Sequence, residues 1–162
     1  SLVGSEMCIR DRSGIEASGR QTGFLMPVTN TTLTIPATAD RIVSVGAYQA
    51  DTMAVAPFSG RGFTASGQVA PTLVAPGVDI LTAAPGGGYA RRTGTSIAAP
   101  FVTGAAALLM EWGIVRGNDV ELYGEKGKAY LMRGAKPLPG ITDYPDVAAG
   151  YGRLCVEQSI PK

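Results

Sequence analysis

Residues 94–100 place a serine where its hydroxyl could act as a nucleophile. They read Gly-Thr-Ser-Ile-Ala-Ala-Pro and open a long apolar run, so Ser96 stands at the predicted start of a helix. Such an oxygen attacks a carbonyl carbon only after a neighbouring base has taken its proton, and the usual base is an imidazole held by a carboxylate. The chain contains no histidine. Ser96 alone therefore cannot complete the reaction that its position indicates.

The residues next to Ser96 are the types that this chemistry requires. Gly94 lets the backbone approach a substrate closely, and Thr95 begins the turn. A helix N-terminus directs its N–H groups at developing negative charge, so Ser96 would supply both the nucleophilic oxygen and one oxyanion-hole N–H. A serine at a helix start is more often only a cap. A noncatalytic α/β domain with a capped helix is therefore an alternative.

Short strands are predicted on both sides of this motif. The β-branched run at residues 41–47 favours a buried strand, and so do residues 72–75 and 78–82, which flank a Pro-Gly corner. Residues 33–35 form a further strand candidate that Pro36 stops. Residues 13–32 show no hydrophobic period and are predicted to be a loop.

Two helices are predicted. Residues 96–112 carry apolar side chains on almost every face, which is typical of a helix buried on all sides. We expect Gly113 to end this helix and Pro100 to lie in its first turn, where the missing N–H has no partner to lose. A second helix is predicted over residues 125–133. Strands interleaved with helices predict an α/β layer architecture with a largely parallel sheet.

Composition and charge exclude several classes of protein. The 162 residues are 45% hydrophobic and 17% charged, as in globular domains. A net charge of +1 creates no field for nucleic acid, so we expect no nucleic-acid partner. The longest nearly uncharged run, residues 93–110, falls short of a membrane span. Cys8 and Cys155 match neither a disulfide framework nor a metal site, and no cofactor is evident.

Several segments resemble the subtilisin-like serine peptidases, the subtilases of peptidase family S8. Residues 94–100 match the family's nucleophile motif, which reads Gly-Thr-Ser, a variable residue, Ala, a small residue and Pro. Similar segments occur in the family's order at residues 35–47, 58–62, 73–77, 102–108 and 150–154. The resemblance covers about residues 32–161, the C-terminal half of the catalytic domain. Residues 112–119 and 123–126 look most like subtilases of clostridia-related Firmicutes.

The resemblance implies a fold and a function. The fold would be the subtilisin-like three-layer α/β fold with a mostly parallel sheet, present as its C-terminal portion over residues 13–162. The function would be hydrolysis of peptide bonds in peptide or protein substrates through an acyl-enzyme. Ser96 would be the nucleophile, and Gly94, Thr95 and Ser96 would form the oxyanion and substrate contacts. Structural calcium occurs in the family, but no ligand cluster is visible in this sequence.

The chain departs from the family pattern before the serine motif. The family's aspartate, histidine and oxyanion-hole asparagine precede that motif. Asp40, Asp51, Asp79 and Asn30 lack the family's surrounding residues, so none of them is assigned these roles. We therefore expect this chain alone to be inactive and to need the N-terminal half of its domain. The alternative is a catalytically inactive subtilase that serves as a binding or regulatory module.

The resemblance alone suggests a location outside the cell or in the cell or spore envelope. Residues 1–12 match nothing expected in a peptidase and are predicted to be a non-native leader, although an ordinary polar leader would look the same. Arg91 and Arg92, beside the serine motif, could steer acidic substrates, but we favour a solvated pair of loop residues.

Overall fold

A small sheet with one long helix packed on it forms the centre of the fold. The computed structural model describes the backbone of residues 15–17 and 20–22, and all of residues 30–161. Strand β3 (Val45–Gln49) pairs in parallel with β5 (Leu73–Pro76) and antiparallel with β4 (Ala54–Val55). A helix packed on a parallel strand pair confirms the α/β interpretation. The predicted interleaving of strands and helices is wrong for the described residues, because all their strands precede their helices in the chain.

Two antiparallel hairpins complete the strands that the structure describes. One joins β6 (Ile80–Ala83) to β7 (Tyr89–Arg92), and the other joins β1 (Ile15–Ala17) to β2 (Arg20–Thr22). The loop prediction for residues 13–32 is therefore wrong at β1 and β2, because strands of three residues are too short to show a period. The remaining residues up to 29, the predicted leader at 1–12 included, lie outside the described residues.

The strand predictions around the sheet are confirmed in two places and need correction in two others. Residues 72–75 and 78–82 correspond to β5 and β6. The run at 41–47 becomes a strand only at Val45, because Arg41 adopts a left-handed conformation with φ of 62°. The candidate at 33–35 is wrong. Its neighbour Thr32 donates its N–H to the Arg61 carbonyl in a loop, and residues 35–38 form a turn.

The long helix extends further than the sequence predicts. Helix α1 (Thr95–Met110) continues into a π-helical turn, Glu111–Val115. Gly113 does not end it; a Cβ there would stand 2.6 Å from Leu122 Cδ2, so this glycine makes room for Leu122. Pro100 is also not in the first turn, since it is the sixth residue of the helix. Helix α2 (Glu125–Arg133) confirms the second helix prediction, and a short α3 (Val156–Ser159) follows.

Helix α1 is buried along one face. The buried residues recur every three or four positions and pack against β3 and β5: Thr95, Ala98, Val102, Ala105 and Leu109. The predicted burial on all sides is wrong for the described residues, because Phe101, Leu108 and Met110 are each more than 40% exposed. With its π-helical turn the helix has the length and hydropathy of a membrane span. One face of the helix packs on β3 and β5.

Ala105 tests the assignment of the buried face. It is 2% exposed in the main apolar cluster, so Ala105→Leu forces added methylenes into packed space. We expect the free energy of unfolding to fall by about 1–3 kcal/mol. Ala107→Leu is the matched control, because Ala107 is exposed on the same helix and should change stability by less than about 0.5 kcal/mol. Equal thermal melts for the two variants would contradict the assignment.

Helix α2 is fixed at its start by charged side chains. Lys126 Nζ donates to Asp119 Oδ1 at 2.6 Å, and the Tyr130 hydroxyl donates to Asp119 Oδ2 at 3.2 Å. The hydrogen bond from Lys126 lowers the pKa of the Asp119 carboxyl below its usual range. On the other face Leu131 is buried in the main cluster. These contacts attach both the start of α2 and its buried face to the rest of the fold.

Candidate active site

Ser96 lies in the first turn of α1 with its hydroxyl exposed. It is the second residue of the helix, and Ile97 and Ala98 donate their N–H groups to the Gly94 carbonyl at 3.0 and 3.3 Å. The N–H of Ser96 precedes these two, in a turn where helix geometry offers no backbone acceptor. Ser96 Oγ makes no hydrogen bond to any residue that the structure describes. Both groups are therefore open to a substrate.

Gly94 gives the chain the backbone conformation that begins α1. Its φ of 156° and ψ of 160° lie in a region that is almost restricted to glycine. A Cβ at this position would meet nothing closer than the Ser96 nitrogen, at 3.9 Å. Glycine is thus required here by the backbone conformation and not by lack of space. Because Gly94 has no side chain, the approach to Ser96 is also open. Thr95, the third predicted site residue, is buried.

Gly77 connects the start of α1 to the sheet. It directly follows β5, its N–H donates to the Tyr48 carbonyl at the end of β3, and its own carbonyl accepts from the Gly94 N–H at 2.8 Å. The carboxyl ends of the two parallel strands thereby hold the turn before Ser96. The Pro-Gly corner in the sequence indicates a turn at Gly77, but a contact between residues 77 and 94 leaves no local signal.

An apolar pocket lies beside Ser96. Its volume is about 280 Å³. The start of α1 forms one wall with Thr95, Ser96 and Ala99, and a loop forms the other with side chains that include Ile42 and Val43. A pocket of this size and character can hold an apolar side chain next to the Ser96 hydroxyl.

The described residues place no base next to Ser96. Asp79 accepts a hydrogen bond from Arg91 at 2.9 Å, and Asp40 accepts one from Gln68. Arg91 is solvated as predicted, with its side chain 63% exposed in the pair with Asp79, but the loop prediction for Arg91 and Arg92 is wrong, because both lie in β7. Within the described part of the chain, no group of three His, Cys, Asp or Glu residues is placed to hold a metal ion. The geometry supplies an exposed serine at a helix start and an apolar pocket beside it.

Solved structures of proteases are similar to this chain. The CspB protease of Clostridium perfringens matches with a TM-score of 0.81 and 44% identity, over 86% of this chain and 30% of that chain. The prenylagaramide maturation protease PagA matches with a TM-score of 0.66 and 34% identity, over 82% of this chain and 46% of that one. These similarities confirm the subtilisin-like α/β fold as a partial domain, and the first agrees with the expected clostridial resemblance.

Relatives found by sequence are also proteases or peptidases. An intracellular serine protease of Paenibacillus polymyxa is 43% identical over 106 residues, which are 63% of this chain and 30% of that protein. The C5a peptidase of Streptococcus pyogenes is 44% identical over 54 residues, or 33% of this chain and 5% of that protein. The chain thus spans less than a third of the length of either relative.

One family accounts for the serine turn, the fold and these relatives. The model of the subtilase family, peptidase family S8, matches residues 16–152, which include the sheet, the pocket and the first turn of α1. Because this match extends over most of the sequence, the chain belongs to the subtilase family.

Proposed function

We propose that this chain is the nucleophile-bearing part of a serine endopeptidase. Its parent protein, the longer chain that would contain these residues as the C-terminal half of a peptidase domain, hydrolyses peptide bonds in peptides or proteins. The placement of Ser96 carries this proposal. An exposed hydroxyl at the N-terminus of a core helix, beside an apolar pocket, is where such an enzyme needs its nucleophile.

The chemistry assigns a role to each group at the turn. Ser96 Oγ attacks the carbonyl carbon of the scissile bond while a base takes its proton, and the carbonyl oxygen becomes negatively charged. The Ser96 N–H, at the positive end of α1, stabilises that charge. Gly94 and Thr95 shape the backbone on which the substrate lies. The tetrahedral intermediate formed in this way then collapses, and the amine of the scissile bond leaves with the proton that the base took from Ser96. Water then hydrolyses the acyl-enzyme.

The base must come from another part of the parent protein, because this chain has no histidine. The exposed apolar surface around α1 supports that view. Phe101, Leu108 and Met110 lie open on the helix, and a groove of about 290 Å³ near Ser96 is lined by Phe101, Pro100 and Leu81. An exposed apolar groove of this kind marks a contact surface. We propose that the N-terminal half of the domain covers it and brings the histidine and aspartate.

A fluorophosphonate probe tests the proposal, because it labels only an activated serine. We expect no labelling of this chain alone and stoichiometric labelling of Ser96 in the parent protein, with the parent Ser96→Ala variant as the unlabelled control. Labelling of the isolated chain would contradict its predicted inactivity. A folded parent that binds peptides but is not labelled would instead identify the inactive binding module. The predicted lack of cofactor and of nucleic-acid or membrane partners stays a prediction.

A further inference from the structure

The loop that forms the outer wall of the Ser96 pocket has little packing behind it. Residues 35–41 lie in turns rather than in a strand. A second cavity, of about 410 Å³, lies on the other side of this wall. Both cavities are lined by Ala37, Ile42 and Ser44. The wall between the two cavities is therefore a single layer of chain. Packing alone does not fix the distance between this wall and Ser96.

One end of the wall is fixed to the sheet by buried hydroxyl groups. The Ser44 N–H donates to Thr72 Oγ1 at 3.2 Å, and the Thr72 N–H donates to Ser44 Oγ at 2.9 Å. Both residues are buried beside β5. Val43 packs against the main apolar cluster, so the chain from Val43 onwards is held, and the freedom that remains belongs to residues 36–42.

Lys128 of α2 connects with this freer part. Its ammonium donates a hydrogen bond to the Ile42 carbonyl at 2.7 Å, and the side chain is half-buried along the second cavity. Hydrogen bonds from a charged donor are stronger than neutral ones. The two other links are weaker, because Arg41 and Glu125 form an ion pair with both side chains more than 60% exposed, and Asp40 and Gln68 meet at the surface.

We propose that Lys128 is a positioning residue that sets the width of the pocket beside Ser96. It would thereby select the substrate side chain that enters next to the scissile bond. Helix α2 is fixed by Asp119 and by its buried Leu131, so the ammonium holds the Ile42 carbonyl at a constant place. This inference depends on the proposed function for its substrate, but the connection itself is a property of this chain.

The kinetic test uses the parent protein with Lys128→Met, which keeps the length of the side chain and removes the donor. Peptides that differ only in the residue before the scissile bond, with Ala, Leu or Phe, are compared. We expect KM to rise about tenfold for the preferred peptide and the differences between peptides to shrink, with kcat changed less. Lys128→Arg should restore much of the preference. Lys126→Met is the matched control, because Lys126 contacts Asp119 and not the loop.

A second measurement does not depend on catalysis. The Ala39 N–H donates to the Pro36 carbonyl inside the loop at 2.9 Å, so its hydrogen exchange reports opening of the wall. Exchange should be faster in Lys128→Met and unchanged in Lys126→Met. Unchanged exchange at Ala39 overturns the connection, and unchanged KM values in a labelled, active enzyme overturn its role in selectivity. A parent in which Ser96 is not labelled overturns the proposed function and the selectivity role with it, whatever the exchange shows.

Discussion

Replacing Ser96 with alanine is expected to abolish peptide hydrolysis by the parent protein while leaving its fold almost unchanged. The variant loses the attacking oxygen, and the neighbouring hydroxyl residue, Thr95, is buried. Removal of the nucleophile lowers kcat about a millionfold in subtilisin, the namesake of this family, and we carry that magnitude over. Stability should change by less than about 1 kcal/mol, because Ser96 is exposed and its Oγ makes no hydrogen bond to a described residue.

Thr103→Ala provides the control for this experiment. Thr103 is also an exposed hydroxyl residue on α1, and its side chain only donates to the Ala99 carbonyl at 3.3 Å. Its removal should leave peptide hydrolysis within about threefold of the unchanged protein. Full activity of Ser96→Ala would show that another residue is the nucleophile.

Replacing Gly77 with alanine is expected to damage both stability and catalysis. A Cβ at Gly77 would stand 2.7 Å from Ala47 Cβ and 2.9 Å from the Gly94 carbonyl oxygen, so the sheet and the start of α1 must move apart. We expect the free energy of unfolding to fall by about 1–3 kcal/mol. Displacement of the nucleophile by about 1 Å should lower kcat about a hundredfold. A thermal melt and a peptidase assay measure the two effects.

Gly127→Ala is the matched control for Gly77. Gly127 lies within α2 and has no heavy atom within 4 Å of a built Cβ, so alanine should fit and raise stability by about 0.5–1 kcal/mol. Gly77→Ala with the melting temperature of the unchanged protein would mean that the contact with Gly94 does not hold the helix start.

The sequence allowed much of the site to be predicted, because its signals are local. The motif at 94–100 predicts a serine at a helix start, and the structure places Ser96 there with its N–H and hydroxyl open. The strands at 72–75 and 78–82 and the helix at 125–133 also follow from short patterns of turn residues and apolar residues. Whether Ser96 performs catalysis stays a prediction.

The failures of sequence reasoning concern what lies next to each element in space. Apolar residues on every face of α1 predict burial on all sides, but the described residues cover only the face of Ala98 and Val102. Glycine commonly ends a helix, yet Gly113 instead leaves space for the side chain of Leu122, nine positions later. The connection from Lys128 to Ile42 spans 86 positions. No local pattern records such contacts.

The two ends of the β6–β7 hairpin are joined at its base. The Gly94 N–H meets the Gly77 carbonyl at 2.8 Å, and the Asp79 N–H meets Thr93 Oγ1 at 2.9 Å. The hairpin is therefore a loop that is closed at its base. Its tip, residues 85–88, is exposed to solvent. Insertions at such a tip cost little, because the ends are already held together. We therefore expect this hairpin to accept a longer or different surface loop without displacement of Ser96.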